Sequence, residues 1–486
     1  MTHKETFVDS TGHSRILEFR FHREARLRYQ AKELNELLAN DFELLRNIIE
    51  HHKKIQRPRI QELLDYAEGN NHTVSVVNRR REQDMADARA IHNFGRAIAV
   101  FKQGYLVGKP IQVKYEGDGD NQAIIDELAK QNDFHSINRA LVLDLSKTGR
   151  AYDMVYRAQD DTTRTVKLDP LSTFVVFDNT LEAHSVAGVR YYKAGQFDSD
   201  KEIVEIYTDS DIITFSYDGQ LEEIDRKPHS FGLVPITEYL NTASGVGDYE
   251  TELSLIDLYD ASQSDTANYM QDLSDAILAI FGRMSFPETC QTPEQQIEFM
   301  RKMRKARLMN LEPPTDTEGN EGRIDAKYLY KQYDVAGTEA YKNRIVNDIH
   351  KFTNTPDMTD MNFSGHQSGE AMKWKVFGLD QERVDMQALF EKSLRRRYRL
   401  IANIGKVAKE LTNFDVSKLS FTFTPNLPAD AGTVIANAKN LYGMVSDETV
   451  FSLLENATGV KASDEIGRLQ SVATKEPMGR IAHETQ

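Results

Sequence analysis

The stretch that most constrains the fold is residues 362–412, which begins NFSGHQSGEAMKWKVFGLDQ. Ser368 stands where a helix N-cap is expected, and Glu370 places an acid in the first turn. Apolar side chains then recur every three or four positions, at Leu379, Met386, Phe390, Leu394, Tyr398, Ile401, Ile404, Ala408 and Leu411. This spacing predicts one helix over 369–412, about 66 Å long at roughly 1.5 Å per residue. Such a rod, headed by a Gly-, Ser- and Asn-containing loop, indicates a mechanical element.

A second long helix is predicted over 251–282, where apolar residues again return at helical spacing. Its charge is one-sided, because no Lys or Arg occurs between Lys227 and Arg283. The acids of this interval are Glu238, Asp248, Glu250, Glu252, Asp257, Asp260, Asp265, Asp272 and Asp275. The next segment inverts the charge with a basic run at Arg301, Lys302, Arg304, Lys305 and Arg307.

The remaining chain mixes helical and strand patterns. Short alternating runs separated by Asp, Gly and Asn predict an antiparallel β block over 150–240. Helices are predicted over 31–67, 78–108, 121–131, 135–147, 338–353, 430–443, 447–456 and 462–473, and strands over 111–115, 324–334 and 419–425. Residues 1–30 mix charges without a clear period and are interpreted as an arm.

Composition excludes several classes of protein. The chain has 486 residues, which favours about three domains, and 75 acids against 60 bases give a net charge of −15. An acidic chain is a poor candidate for gripping duplex DNA, since such binding depends on Lys and Arg neutralising phosphates. The single Cys290 excludes an internal disulfide. No signal peptide or membrane span is predicted.

Catalytic and metal motifs are also missing. The nearest phosphate loop, GYLVGKP at 104–110, has three residues between its glycines instead of four, and Pro110 follows Lys109. EGDGDN at 116–121 lacks the later glutamate of a calcium loop, and the 13 histidines include no H-E-x-x-H. We therefore predict no catalytic residue, no metal and no cofactor.

Several ordered segments carry a family resemblance. NFSGHQSGEAMKWKVFGLDQ resembles the signature of portal proteins of siphophage-class tailed bacteriophages. YLVGKP, HSFGLVPITEYLN (229–241), LIDLYDASQSDTANYMQDLSDAIL (255–278), FTFTPNLPAD (421–430) and LYGMVSDETVFSLL (441–454) look like segments of the same family, in the same order. The resemblance covers roughly residues 80–470.

The resemblance implies a fold with named parts. It is an α+β fold, mainly helical, with long stem and wing helices, an antiparallel β region, a small clip and a helical crown. The expected parts are a wing (1–250, with 369–428 returning to it), stem helices (251–282 and 338–353), a clip (283–337), a tunnel loop (354–368), a long wing helix (369–412), a crown (429–473) and a disordered tail (474–486).

The resemblance also implies sites and partners. A ring of twelve subunits at one capsid vertex is expected to pass double-stranded DNA during packaging and ejection, after assembly in the host cytoplasm. The expected partners are the terminase large subunit, head-completion or adaptor proteins, and the major capsid and scaffold proteins, with no membrane. The DNA-facing residues would be Asn362, Phe363, Ser364, Gly365, His366 and Gln367, and the acidic face of the stem would comprise Asp257, Asp260, Asp265, Asp272 and Asp275.

Alternatives remain open at this point. The chain could be a monomeric phage scaffold or DNA-binding protein, or a packaging ATPase. The loop could be a connector that never touches DNA. The basic run and the arginines at Arg395, Arg396, Arg397 and Arg399 could meet stem acids of a neighbouring subunit, or could simply form solvated faces.

Overall fold

The computed structural model describes most of the chain as two units. The described residues are 3–77, 79, 86–117, 121–195, 202–272, 277–281, 283–284, 286–306, 311–313, 325–329, 334–357, 376–411, 413–426, 431–458, 460 and 462–473. The first unit combines Met1–Glu68, Asn93–Glu252 and His350–Gln486, and the second combines Gly69–His92 and Leu253–Ile349.

The elements alternate between helical and strand regions. The helices are α1 (Leu34–Leu38), α2 (Glu43–His51), α3 (Arg57–Glu68), α4 (Phe94–Val107), α5 (Asn121–Gln131), α6 (Phe134–Thr148), α7 (Leu253–Asp272), α8 (Pro293–Ala306), α9 (Val335–Phe352), α10 (Phe377–Val407), α11 (Ala431–Leu441), α12 (Asp447–Thr458) and α13 (Ala462–Ala473). Helices contain 49% of the residues and strands contain 21%, which confirms the predicted α+β, mainly helical fold class.

The strands are short and mostly antiparallel. They are β1 (His3–Val8), β2 (Ser14–Phe19), β3 (Tyr29–Gln30), β4 (Gln112–Tyr115), β5 (Arg150–Arg157), β6 (Thr163–Leu168), β7 (Thr173–Phe177), β8 (Ser185–Lys193), β9 (Glu202–Tyr207), β10 (Asp211–Tyr217), β11 (Leu221–Pro228), β12 (Ile236–Leu240), β13 (Ile277–Phe281), β14 (Arg283–Met284), β15 (Leu311–Glu312), β16 (Asp325–Leu329) and β17 (Leu419–Thr422). The antiparallel block predicted over 150–240 is confirmed as β5–β12.

The first unit contains the larger sheets. A six-stranded sheet has the order β11-β10-β9-β8-β7-β3, and a three-stranded sheet has the order β12-β5-β6. One hydrophobic core lies between the six-stranded sheet and the α1–α2 region, with Leu45, Ile49, Phe174 and Phe215 fully or almost fully buried. The packing of β-branched and aromatic side chains on this sheet face follows the period-2 pattern of the sequence.

Helix α10 organises the other main core of the first unit. Its apolar face packs with residues of α6, β5 and β12, and Phe390, Leu394 and Tyr398 are at most 2% exposed. These are positions that helical spacing predicts to face inward. The helix has 31 residues and is therefore about 46 Å long at roughly 1.5 Å per residue.

The predicted bounds of that helix need correction. It begins at Phe377 instead of 369, because Val376 has φ −99° and ψ 8°, outside helical geometry. It ends at Val407, and Lys409 has φ 59°, a left-handed conformation that ends the helix. Leu411 still packs into the core, where it lies against Gly405. Residues 369–375 lie outside the described residues.

Two other helix predictions were too long. The helix predicted over 251–282 ends at Asp272, and Ile277–Phe281 is a strand paired with Asp325–Leu329. The run ILAIF fits both a helical and a strand period, so its pairing partner decides the outcome. The helix predicted over 78–108 begins only at Phe94, where the Asn93 side chain accepts from the Arg96 N–H as an N-cap.

The amino-terminal segment is more regular than the sequence indicates. Strands β1 and β2 form a hairpin, and Tyr29 and Gln30 join the edge of the six-stranded sheet parallel to β7. The interpretation of residues 1–30 as an arm is therefore wrong for Tyr29 and Gln30, which belong to the sheet, and stays a prediction for the hairpin. The predicted tail at 474–486 lies outside the described residues.

Candidate functional site

The six residues predicted to face DNA, 362–367, lie outside the described residues, but the chain on either side of them is described. On the incoming side, α9 ends in a tight turn. The Thr355 N–H donates to the His350 carbonyl at 3.1 Å, and the side chains of Thr353 and Thr355 are hydrogen-bonded at 2.6 Å. Both threonines are almost fully buried. The incoming end is therefore anchored by buried hydrogen bonds.

Glu382 joins the two sides of the undescribed segment. One carboxylate oxygen accepts from the Asn354 side-chain amide at 2.8 Å, and the other accepts from the Lys102 ammonium at 2.5 Å. Asn354 follows α9, whereas Glu382 lies in the second turn of α10. We call Lys102, Asn354 and Glu382 the clamp. Because hydrogen bonds to charged groups are the stronger ones, the clamp holds the start and the end of the segment together.

Further charges stabilise the clamp. Lys102 also lies 3.4 Å from a carboxylate oxygen of Asp248. Burial alone would lower the pKa of Lys102, but the carboxylates of Asp248 and Glu382 outweigh that effect and raise it. Lys102 therefore stays charged inside the fold. Beside it, burial and the hydrogen bond to Asp380 raise the pKa of Tyr105 to about 12.

A cavity of about 550 Å³ borders the clamp within the first unit. Lys102, Asp248 and Glu382 contribute charges to its wall, and Phe352 and Leu379 contribute apolar surface. The base of the predicted tunnel loop is thus a charged network next to an open space. Sequence reasoning missed this network, although Lys102 gives a signal as the one cation inside the apolar run AIAVFKQGYLV.

In the second unit, the predicted acidic helix presents a different site. Asp260, Ser264 and Asn268 lie four residues apart on one face of α7 and are at most 2% exposed. Their side-chain oxygens accept the backbone N–H groups of His92 at 3.0 Å, Ala90 at 3.0 Å and Ala88 at 2.6 Å, respectively. We call residues 86–92 the strap.

The spacing explains why the strap is extended and not helical. Two residues of extended chain advance about 6.6 Å, and four residues of helix advance about 6.0 Å. Alternate N–H groups of the strap therefore meet successive turns of α7, with the two segments running in opposite directions. Each contact satisfies a partly buried backbone donor of the strap.

The strap changes the interpretation of the acidic face. Asp260 is fully buried and also accepts from the Asn71 amide at 2.8 Å and the His92 ring at 2.8 Å. Burial raises its pKa. Its predicted place on an acidic surface is therefore wrong. Asp257 accepts from the Thr73 hydroxyl at 2.9 Å, and Asp265 forms an ion pair with Arg79 at 2.5 Å.

The other predicted charges are only partly described. The side chain of Asp272 and the whole of Asp275 lie outside the described residues, as do the side chain of Arg304 and the whole of Arg307. Arg301, Lys302 and Lys305 are exposed on α8, and Lys302 forms an exposed ion pair with Glu298 at 3.0 Å. An exposed i,i+4 pair contributes little to stability.

The arginines of α10 do not form one surface. Arg397 is completely buried, donates to Asp153 at 2.5 Å and to Asn138 at 2.8 Å, and lies over the Phe134 ring. Both alternatives left open by the sequence, a contact with acids of a neighbouring subunit and a solvated face, are therefore wrong for Arg397. Arg395 forms an ion pair with Glu391 on the same helix at 2.8 Å.

Metal sites and membrane spans are two further features that bear on function. Within the ranges that the structure describes, no group of three or more His, Cys, Asp and Glu side chains is arranged to hold a metal ion. In the same ranges, every helix is too short or too polar for a membrane crossing.

Comparison with known proteins decides the family. A family model described as phage portal protein, SPP1 Gp6-like, matches residues 46–477. The chain belongs to this family of phage portal proteins. A portal protein of Clostridium phage phiCD119 (strain Clostridium difficile/United States/Govind/2006) is 24% identical over 377 residues, which cover 72% of this chain and 78% of the relative. A solved chain from the neck of an empty GTA particle, computed with C6 symmetry, is 14% identical with a TM-score of 0.39, over 74% of this chain and 88% of that one.

Family membership confirms the resemblance to phage portal proteins and gives the chain its role. It is a portal protein, with a portal function in the phage capsid and a place in the oligomeric ring at the portal vertex. The match includes the clamp, the strap, and helices α7, α9 and α10.

Proposed function

We propose that this portal protein forms a twelve-subunit ring that conducts double-stranded DNA into the capsid during packaging and out of it during ejection. The single observation that carries the proposal is the portal family match over residues 46–477. The ring would assemble in the host cytoplasm with scaffold and major capsid proteins. It would act as a passive conduit without enzymatic activity, while the terminase supplies the work of packaging.

The parts of the chain would divide this work. Helices α7 and α9 would form the stem, and residues 283–337 would form the clip that docks the terminase large subunit and later the head-completion or adaptor proteins. Residues 1–250 and α10 would belong to the wing, and residues 429–473 to the crown. The predicted tunnel loop at 354–368 would lie nearest the DNA.

The clamp supports a role for that loop. A loop that changes shape as DNA passes needs fixed ends, since otherwise the whole helix would move with it. Glu382 supplies such a fixed point by binding Asn354 before the segment and Lys102 on α4. The buried Thr353–Thr355 turn holds the incoming end independently.

Electron microscopy of the purified chain tests the proposal directly. We expect negative-stain images of rings with a central hole, and native mass spectrometry should give their subunit number. Purified rings should not hydrolyse ATP. Compact single particles without a central perforation would refute the proposed function and favour a monomeric scaffold or DNA-binding protein.

A loop deletion tests the tunnel assignment. Removing 362–366 should leave rings intact, because the clamp and the α9 turn remain. DNA filling in a packaging reaction with terminase and empty capsids should fall sharply. A matched five-residue deletion in the predicted tail, 480–484, serves as the control. Normal filling by the loop variant would mean that the loop is only a connector.

The proposed repulsion of DNA by the stem acids must be tested at an exposed acid, because not all of the acids predicted from the sequence lie at the surface. Reversing Asp260 would bury a lysine, so the test uses Asp265, whose side chain is 67% exposed. If carboxylates of the stem repel DNA phosphates, Asp265→Lys should slow packaging without preventing ring assembly. Unchanged packaging would remove electrostatic repulsion at this position from the mechanism.

A further inference from the structure

A basic groove lies along α10 in the first unit, apart from the clamp. It is a cavity of about 620 Å³ bounded by α10, by the turn before β8 and by β12. Its wall carries six basic side chains, Arg28, His184, Lys392, Arg395, Arg396 and Arg399. The chain as a whole has a net charge of −15, so the groove is opposite in charge to the average surface.

Two carboxylates of the groove are already engaged in ion pairs. Its wall contains three carboxylates, Glu182, Glu238 and Glu391. Glu238 forms an ion pair with Arg28 at 2.7 Å, and Glu391 forms one with Arg395 at 2.8 Å. The third carboxylate, Glu182, is exposed and lies 2.7 Å from the His184 ring, a contact that is an ion pair only when that ring is protonated.

The other three basic groups form no ion pair with any described residue. They are Lys392, Arg396 and Arg399. The Nη2 group of Arg396 donates to the Ser185 hydroxyl at 2.7 Å and to the Val234 carbonyl at 2.8 Å. Neutral acceptors hold this guanidinium in place, but they do not neutralise its charge.

The neighbouring charge makes this arrangement costly. Arg399 lies one turn of helix after Arg396, so the two guanidinium groups share a face of α10. Burial, followed by repulsion from Arg399, lowers the pKa of Arg396 to about 10. An anion between them would offset both effects, since it would replace lost hydration and screen the repulsion.

We propose that the basic groove binds a carboxylate-bearing segment of a second copy of this chain, the adjacent subunit of the ring. The inference rests on the proposed ring. Copies that each carry a charge of −15 repel one another over their surfaces, so a contact between them needs a local patch of opposite charge. A ring also joins two different surfaces of neighbouring subunits, and one cationic groove per subunit can supply one of the two.

The test reverses charges that are exposed in the single subunit. Lys392 and Arg399 are both exposed, so the double variant Lys392→Glu/Arg399→Glu should fold normally, as circular dichroism can confirm. We expect at least tenfold more free subunit than in the wild-type chain, measured by native mass spectrometry in 0.15 M ammonium acetate. Arg399→Lys, which keeps the charge, should retain the rings.

The control is Arg96→Glu, which reverses an exposed arginine at the start of α4, away from the groove. Rings that persist unchanged in the double variant would overturn the inference and leave the proposed function standing. An equal loss of rings in Arg96→Glu would also overturn it, because net charge alone would then explain the effect. If the double variant keeps its rings but no longer binds a 20-base-pair DNA duplex, the groove binds DNA phosphates and the inference is overturned. A wild-type chain that forms no rings would refute both proposals.

Discussion

Replacing Arg397 by methionine should loosen helix α10 strongly. Both Arg397 and its partner Asp153 are completely buried, and the Tyr239 hydroxyl donates to the same carboxylate oxygen at 2.8 Å. Removing one member of a buried ion pair leaves the other charged and unpaired, which costs about 3–5 kcal/mol. At about 1.4 kcal/mol per factor of ten, the opened state of α10 should become roughly 10² to 4 × 10³ times more populated.

Hydrogen–deuterium exchange followed by mass spectrometry measures this change without assuming two-state unfolding of the whole chain. Peptides from 390–405 in Arg397→Met should exchange faster by that factor, whereas peptides from the six-stranded sheet serve as the internal control. The double variant Asp153→Val/Arg397→Met removes both charges and should recover much of the protection. Exchange within tenfold of the wild type in Arg397→Met, or no recovery in the double variant, would refute the reasoning.

Three smaller predictions concern the clamp, the strap and pH. Glu382→Gln should speed hydrogen exchange at 350–357 by about 10–100-fold, because it weakens hydrogen bonds made by a charged group. The control Asp385→Asn changes an exposed carboxylate and should leave that exchange rate unchanged. The same exchange rate in Glu382→Gln and the wild type would refute the clamp. Ser264→Ala should destabilise the docked strap by about 1–3 kcal/mol, read as faster exchange at Ala90 relative to a Ser262→Ala control. Burial lowers the pKa of His52 from 6.5 to about 3. Below pH 6.5 the unfolded chain therefore protonates His52 while the folded chain does not, and the free energy of unfolding falls as the pH is lowered. After correction for the intrinsic pH dependence of exchange, amides of the six-stranded sheet should lose about 2 kcal/mol of protection by pH 5, and His52→Gln should remove that loss.

The inward face of α10 could be predicted from the sequence, because apolar residues that recur every three or four positions lie on one face of a helix. Leu379, Met386, Phe390 and Ile401 are all at most 7% exposed, as the spacing predicts. The start of the helix could not be predicted in the same way. The spacing of apolar residues does not show where a helix begins. Ser368 resembles an N-cap but precedes the observed start by nine residues.

The strap and the clamp could not be predicted because their partners are distant in the sequence. The Asp260–His92 contact joins residues 168 apart, and the Lys102–Glu382 contact joins residues 280 apart. A one-sided excess of acids predicts a charged surface only if no other segment covers it. Here the backbone N–H groups of the strap cover part of α7. The acidic sequence of α7 predicts that this part lies at the surface.

The arginine run on α10 explains why charge runs are poor predictors of surfaces. Successive residues of a helix point about 100° apart, so four neighbouring arginines enter different environments. Arg395 pairs with Glu391, Arg397 is completely buried in the core, and Arg396 is held by neutral oxygens. Only residues three or four apart share a face, and Arg396 and Arg399 are such a pair. Neither member of that pair forms an ion pair with a described residue, so the proposed contact with the adjacent copy would bring a carboxylate to that face.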